Sequence, residues 1–553
     1  MKRLIGMTLA LAVALAACSK ADQSAPASAG GSPESGTATH NSWTKPHQLI
    51  YADTGDINTL NTHLGTFADV QFIGEMTAAW LIRWDQHNNP YPELALQVPT
   101  KQNGGVSQDG LTITYHLRHG VKWSDGAPFD ADDVIFSTKA VLNPANNEAN
   151  RQGWDRIVKI DEPDKYTVIY HLSKPYSPAI ESFFSTAGAN PSILPKHLLA
   201  QYPNINHVPY NEKPIGIGPF KIDRWDRGNQ VVMVPNPLYW RGQPKLQKIV
   251  FKIVPDRNTL LTQLQTHEVD LWPLIGGSYL ARVQAIPGYS VSRQPSYVFN
   301  NMNFNLRHPA LSELAVRSAL LYALDREEIR QKIGHGLGTI SDSPTPLSAP
   351  YAVAASPRPF DLAKANQMLD AAGWKRGADG VRAKNKVRLV LTLAAQAGSP
   401  DVDAQIELIR ANWEKAGVKL DVRHYPYPQL FAPAQDGGIV YGDSWDVILI
   451  AWTNEAIGDY SQLYGCDAFP PAGQNVPRWC NKKAQAAMDA LYTHYEQADR
   501  NYDVAALVRE FVKDVPVVVT LQREDVYGYN SDLVNFHPNN VSLFDNMMDV
   551  DMQ

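Results

Sequence analysis

Two rhythms of apolar spacing alternate along this chain. In "GLTITYHLRHGVKW" (110–123), Leu111, Ile113, Tyr115 and Leu117 recur at every second position. Alternate residues of a strand share a face, so the spacing predicts a strand with one buried side. "KYTVIYHL" (165–172) has the same pattern. In "DVILIAWTNEAIGDYSQLYGCD" (446–467), Val447 to Ala451 form an unbroken apolar run into Trp452, which predicts a buried strand ending in a polar loop. Elsewhere the period lengthens. Val402, Ile406, Ile409 and Trp413 lie four, three and four apart, on one face of a helix over 401–416. Gly417 ends that helix and "VKLDV" resumes strand alternation. "SELAVRSALLYALDREEIRQKI" (312–333) holds two helical stretches, the second opened by Asp325 with Glu328 in a capping-box spacing. "DLAKANQMLDAAGW" starts at a capping Asp361 and stops at Gly373, and Asp132 and Asp133 suit the first turn of a helix running through Val141. Helix, glycine, strand is an α/β unit. Five prolines mark 341–359 as a long connection.

The first residues change the picture from fold to compartment. Lys2 and Arg3 precede the apolar run Leu4 to Leu15, and Leu15-Ala16-Ala17-Cys18 follows. The run is short for a membrane span, and small residues lead into a cysteine. It resembles a bacterial lipoprotein signal, which implies that residues 1–17 are removed and Cys18 is acylated. An ordinary cleaved signal with a chance cysteine is the alternative. Residues 18–45 are rich in Ser, Ala, Gly, Pro and Thr and read as a flexible tether. About 25 such residues reach roughly 25–30 Å by coil scaling.

The 553 residues are 44% hydrophobic and 10% aromatic, enough for several cores, and length suggests about three domains. The formal net charge of −6 argues against nucleic acid as a partner. With Cys18 acylated, Cys466 and Cys480 remain. An even remainder in an exported chain reads as one disulfide, against the alternative of two free thiols.

Catalytic signatures are sparse. No G-x-x-x-x-G-K-[ST], H-E-x-x-H, G-x-S-x-G or C-x-x-C occurs. "GHGLG" (334–338) follows a helix instead of a strand, so it reads as a helix-exit loop. His116 and His119 fall on opposite faces of a predicted strand and do not share a metal. Neither a metal nor another cofactor is expected.

Several segments, in order, resemble the bacterial extracytoplasmic solute-binding proteins of family 5. They are "DINTLNTHLGT" (56–66), "YHLRHGVKWSDGAPFDADDVIFS" (115–137), "PIGIGPFKIDRW" (214–225) and "NPLYWRGQPKLQKIVFKIVPD" (236–256), then "NFNLRHPALSELAVRSALLYALDREEI" (303–329), "RWCNKKAQAAMDAL" (478–491) and "KDVPVVVTLQREDVYGYN" (513–530). Thr62 stands where the family usually has proline, and Ile217 where threonine is usual. The resemblance implies an α/β, two-lobe periplasmic-binding fold with a third subdomain inserted in lobe one. Lobe one would cover 46–300, with the insertion at about 80–213, lobe two 301–510, and 511–553 would return to lobe one. It also implies a monomeric, non-enzymatic receptor that closes on a peptide and presents it to an ABC-importer permease.

In peptide-binding members a Trp-x-x-Asp element after a strand receives the ligand's ammonium. The matching positions here are Trp452 and Glu455, with Asp459 the other candidate in the same loop. A buried ammonium needs such a carboxylate, because leaving it uncompensated costs several kcal/mol. Tyr297, Asn303 and Phe304 are expected to offer main-chain contacts where the chain passes between lobes, and Gly65 and Thr66 to line lobe one. Cys466 and Cys480 resemble a disulfide pair of dipeptide-binding relatives. Those relatives hold the ligand carboxylate with an arginine before the helix matching 401–416. "AAQAGSPDVD" (394–403) has no basic residue, so ligands longer than dipeptides fit better. The rival expectations are the same fold binding an oligosaccharide, opine or metal chelate, and a secreted hydrolase using Glu455 and Asp459 as an acid–base pair.

Overall fold

The computed structural model describes residues 40–553 apart from 66, 188–189, 434–435, 455–456 and 540. The leader, Cys18 and most of the expected tether therefore lie outside the described residues. The folded chain starts earlier than the composition of 18–45 suggests. Asn41 N–H and the Thr44 hydroxyl both donate to Asp532, at 2.8 and 2.6 Å, and Trp43 stacks on His267 with ring centroids 4.0 Å apart. One tryptophan and two polar anchors are enough to pin a segment that otherwise looks like linker.

Gln48–Asp53 forms the first strand, β1. The chain then leaves to build a separate three-stranded sheet from Thr112–His116 (β2), Ile157–Asp164 (β3) and Thr167–Leu172 (β4), in the order β2-β4-β3. The alternation of 110–123 thus yields regular strand only over its centre. Helix α1, Ala131–Leu142, follows β2. Asp130 caps it, accepting from Asp132 N–H, and Asp133 closes the reciprocal bond. Phe220–Asp226 (β5), Gln230–Pro235 (β6), Lys248–Ile253 (β7) and Leu271–Trp272 (β8) rejoin the sheet of β1. The sixteen-residue strand β9, Tyr289–Phe304, leads out of it. Helices Leu314–Tyr322 (α2), Arg326–Lys332 (α3) and Leu362–Ala371 (α4) come next. Strand Val390–Gln396 (β10), helix Pro400–Lys415 (α5) and strands Lys419–Tyr425 (β11) and Val447–Thr453 (β12) follow. Helices Lys482–Leu491 (α6) and Gln497–Asp514 (α7) precede the returning strand Val517–Asn530 (β13).

One ten-stranded sheet, in the order β11-β10-β12-β9-β13-β8-β1-β7-β6-β5, runs through both lobes. β9 and β13 are its antiparallel join. Tyr289–Pro295 pairs with Asn530–Glu524, and Phe299–Asn303 pairs with Gln522–Val517. The register shifts between Pro295 and Phe299. Pro295 has no N–H to give the ladder, and a second shift falls between Asn300 and Asn301.

Separate cores flank this join. Leu49, Tyr51, Phe251 and Leu271 are fully buried in lobe one. In lobe two, α5 lays Ile406, Ile409 and Trp413 against Leu391 and Phe304, and the Trp413 indole donates to Leu320 O at 3.1 Å. A third core runs from Ala79 to Ile217 around Trp123, Trp154 and Tyr170. The proline-rich connection is no loose loop. Arg326 meets Asp342 at 2.6 Å, with both side chains at most 3% exposed, and donates also to Val519 O of β13. Among the described residues, no helix is long and apolar enough to cross a membrane.

Candidate functional site: a cleft between the lobes

A cavity of about 1110 Å³ opens where three pieces of the chain meet. Gly65 lies after β1, Arg156 and Tyr176 flank the strands β3 and β4, and Trp452, Asp459 and Tyr492 come from β12 and the stretch between it and α7. Small-ligand clefts usually enclose ~300–1,000 Å³, so this one is large.

Trp452 reaches the cavity because β12 ends beside the join, with Trp452 opposite Phe299 of β9. Its indole meets Phe431 edge-on, with centroids 6.3 Å apart. The polar loop after β12 is tied back at once. The Asn454 amide donates to Tyr297 O at 3.1 Å and to Pro344 O at 3.0 Å, and Asn454 N–H donates to Tyr297 O at 2.9 Å. Gly458 then turns the chain with φ +72°, and an added Cβ would lie 2.9 Å from the Tyr351 ring. That turn delivers Asp459.

Asp459 is only 7% exposed. Its Oδ1 accepts from Ser461 N–H at 2.9 Å and the Ser461 hydroxyl at 2.6 Å, a side-chain turn that fixes the carboxylate. Its Oδ2 has no hydrogen-bond partner among the described residues. An acceptor left unpaired out of water costs of order 1–3 kcal/mol, so the site is built to receive a donor.

Of the other expected site residues, Thr66 and Glu455 lie outside the described residues, flanked by Gly65 and Asn454, which line the cavity. Tyr297 packs in a buried cluster with Tyr351 and Trp479, and burial pushes its phenol pKa up. Only its carbonyl serves the site, through Asn454. Asn303 is buried and donates to Asn301 Oδ1 at 2.6 Å, and the Phe304 ring stacks on Trp413 in the lobe-two core. Neither is among the residues lining the cavity. Cys466 and Cys480 form a disulfide with Cα atoms 4.7 Å apart, closing the loop that presents Gln474 to the cavity.

The basic part of the lining was not foreseen. Arg151, Arg156 and Lys174 outnumber Asp155 there and leave it net positive. Arg151 is occupied by Val141 O, Asn143 O and Asn146 O, each at 2.7 Å. The Arg156 guanidinium lies 4.5 Å from the centroid of Tyr176 and 4.8 Å from that of Tyr492. The one local signal for this part is Gly153, where a Cβ would strike the Tyr176 ring at 2.3 Å. Tyr492 touches both charges. Its hydroxyl is 2.5 Å from Ser461 Oγ. Burial raises its pKa, the Asp459 charge adds to the rise, and Arg156 opposes it.

The end of α6 and the start of α7 seal one side of the cleft. Ser177 donates its N–H to Tyr492 O at 2.9 Å and its hydroxyl to Leu491 O at 2.6 Å. Arg500 pairs with Glu181 of the inserted subdomain, both nearly buried, and donates to Ile457 O of the Asp459 loop at 3.2 Å. Among the described residues, no group of three or more His, Cys, Asp or Glu is placed to hold a metal ion.

A cleft between two lobes on one shared sheet, lined by a fixed acid and an aromatic wall, defines a hinged ligand receptor. Residues 89–469 match the model for bacterial extracellular solute-binding proteins, family 5 Middle, and the chain belongs to that family. Membership places it among binding proteins, in the bacterial envelope or periplasm. Protein XP55 of Streptomyces lividans is 30% identical over 72% of this chain and 70% of its own length. The oligopeptide-binding protein AppA of Bacillus subtilis is 25% identical over 93% of this chain and 91% of its own. AppA's solved structure, in complex with a nonapeptide, superposes with a TM-score of 0.73 at 20% identity, covering 92% of this chain and 99% of AppA. NikZ of Campylobacter jejuni, solved with Ni(L-His), gives a TM-score of 0.73 at 24% identity, covering 91% of this chain and 99% of NikZ.

Proposed function

We propose that the protein captures peptides in this cleft and hands them to the permease of an ABC importer. Acylated Cys18 holds it on the membrane, and it acts as a monomer without catalysing a reaction. The observation that carries the peptide assignment is the unpartnered Oδ2 of Asp459, a buried acceptor on the cavity wall. A peptide's ammonium supplies the missing donor and neutralises the charge. Trp452 beside it offers apolar surface and cation–π attraction. Glu455, four residues before Asp459, is the alternative acid for the same role. The size of the cavity admits chains longer than two residues. The peptide-binding relative AppA supports the same ligand class.

The test is calorimetry and thermal shift against pooled peptides, sugars and metal chelates. A ligand at 100 times its Kd adds about 2.7 kcal/mol of stability. Peptides are expected to raise the melting temperature and to be recovered uncut by mass spectrometry. Cleavage would turn the assignment to a hydrolase, and a response to chelates or sugars alone would change the ligand class. Asp459→Asn is expected to weaken peptide binding more than tenfold, about 1.4 kcal/mol, at unchanged fold. Glu455→Gln is expected to do the same if the longer acid shares the ammonium. Unchanged affinity in both variants would remove the acids from the site.

A further inference from the structure

The acid wall accounts for one end of a ligand. The same cavity presents a cation that makes no ion pair among the described residues. Arg156 ends the short helical turn Trp154–Arg156, immediately before β3. Its side chain is half-buried, lines the cavity and makes no ion pair with a described carboxylate. Arg151 beside it is spent on three backbone carbonyls, whereas the Arg156 guanidinium lies over the rings of Tyr176 and Tyr492, which are themselves 5.5 Å apart. Contact with aromatic rings gives a guanidinium no acceptor oxygen and leaves its N–H fork unspent. That fork matches a carboxylate with two parallel hydrogen bonds.

The two tyrosines come from distant parts of the chain. Tyr176 belongs to the core around Trp123 and Trp154, and Tyr492, just past α6, packs against that same core. Tyr492 also stands between the two anchors, since its hydroxyl meets Ser461, which holds Asp459. The acid, held by Ser461, and the guanidinium thus lie at the hydroxyl and at the ring of one side chain. Two or three residues of extended chain, at ~3.3–3.6 Å each, span such a gap.

Resting on the peptide assignment above, we propose that Arg156 binds a ligand carboxylate two to three residues from the ammonium held at Asp459. The carboxylate comes either from the C-terminus of a short peptide or from an acidic side chain of a longer one.

Calorimetry distinguishes these cases with mixtures of di- to tetrapeptides in three forms: free acids, C-terminal amides, and amides carrying an Asp or Glu at the second or third position. The native protein is expected to bind free acids at least tenfold more tightly than plain amides, with acidic amides recovering the loss if side chains serve. In Arg156→Gln that preference is expected to vanish, and in Arg156→Lys to fall to an intermediate value. Loss of affinity for acids and amides alike in Arg156→Gln would make the residue a structural clasp and overturn the inference. An unchanged preference would overturn it too, leaving the peptide assignment standing. Failure of the native protein to bind any form would remove both.

Discussion

At the scale of single residues, burial decides which acids keep their protons. Asp69 sits in the first turn of the helix Ala68–Thr77, with Oδ1 unpartnered. Burial, reinforced by the Asp53 charge, lifts its pKa from 3.8 to about 8. The folded chain thus holds a proton between about pH 4 and pH 8 that the unfolded chain has released. Its contribution to stability is greatest at acid pH and is lost as pH rises through that window. Glu75, also raised to about 8 by burial, acts in the same direction. Asp69→Asn is expected to flatten the fall in melting temperature from pH 4 to 8, with the variant gaining most at pH 8. Parallel melting curves for variant and native protein would remove this role. Single residues were also where the sequence was least legible at the site. The apolar run ending in a polar loop drew attention to Trp452, Glu455 and Asp459; Trp452 and Asp459 line the cavity, and Glu455 lies outside the described residues. Arg156, Tyr176 and Tyr492 gave no such sign, because only the tertiary fold brings their distant segments together.

At the scale of elements, apolar period carried most of the information. The four-three-four spacing of α5 survives intact, with Ser399 capping it and Gly417 ending it at φ +83°. Asp361 caps α4 as its position implies, accepting from Lys364 N–H at 2.8 Å. Asp325 caps α3 by the bond from Glu328 N–H at 2.9 Å. Proline content misled in the other direction. It marks 341–359 as irregular, yet Ser343 and Thr345 are wholly buried there, and Gln522 of β13 donates to both of their carbonyls. Irregular backbone is tolerated inside because these side chains satisfy it. The disulfide is an element-scale constraint of the same kind. Cross-linking residues 14 apart restricts the unfolded chain by about 3 kcal/mol on a loop-entropy estimate. Cys466→Ser with Cys480→Ser is expected to lower unfolding stability by about that much in urea titrations. Loss of under ~0.5 kcal/mol would show that the loop is held by its own contacts, such as the Asn475 amide's bonds to Gly465 O and Trp479 O.

At the scale of the whole molecule, closure is carried by a few contacts across the seam. Arg500 joins Glu181 of the inserted subdomain to Ile457 O of the Asp459 loop. A buried pair that loses one partner costs about 3–5 kcal/mol, because the remaining charge stays desolvated. Opening returns both groups to water, so the cost of Arg500→Ala falls on the shut form. The variant is expected to bind peptide at least tenfold more weakly and to show a larger radius of gyration by small-angle scattering. An unchanged radius and affinity would place the hinge and its latch elsewhere. The two-lobe plan was legible through the order of its motifs, whereas no motif marks this seam. The join of β9 and β13 has a broader consequence. Phe304 N–H donates to Pro516 O at 3.2 Å, so the outgoing and incoming connections of lobe two sit side by side. The stretch between these two strands thereby enters and leaves the shared sheet at one place. Exchanging that stretch between family members would re-address the receptor to new cargo, while the rest of the sheet stays as it is.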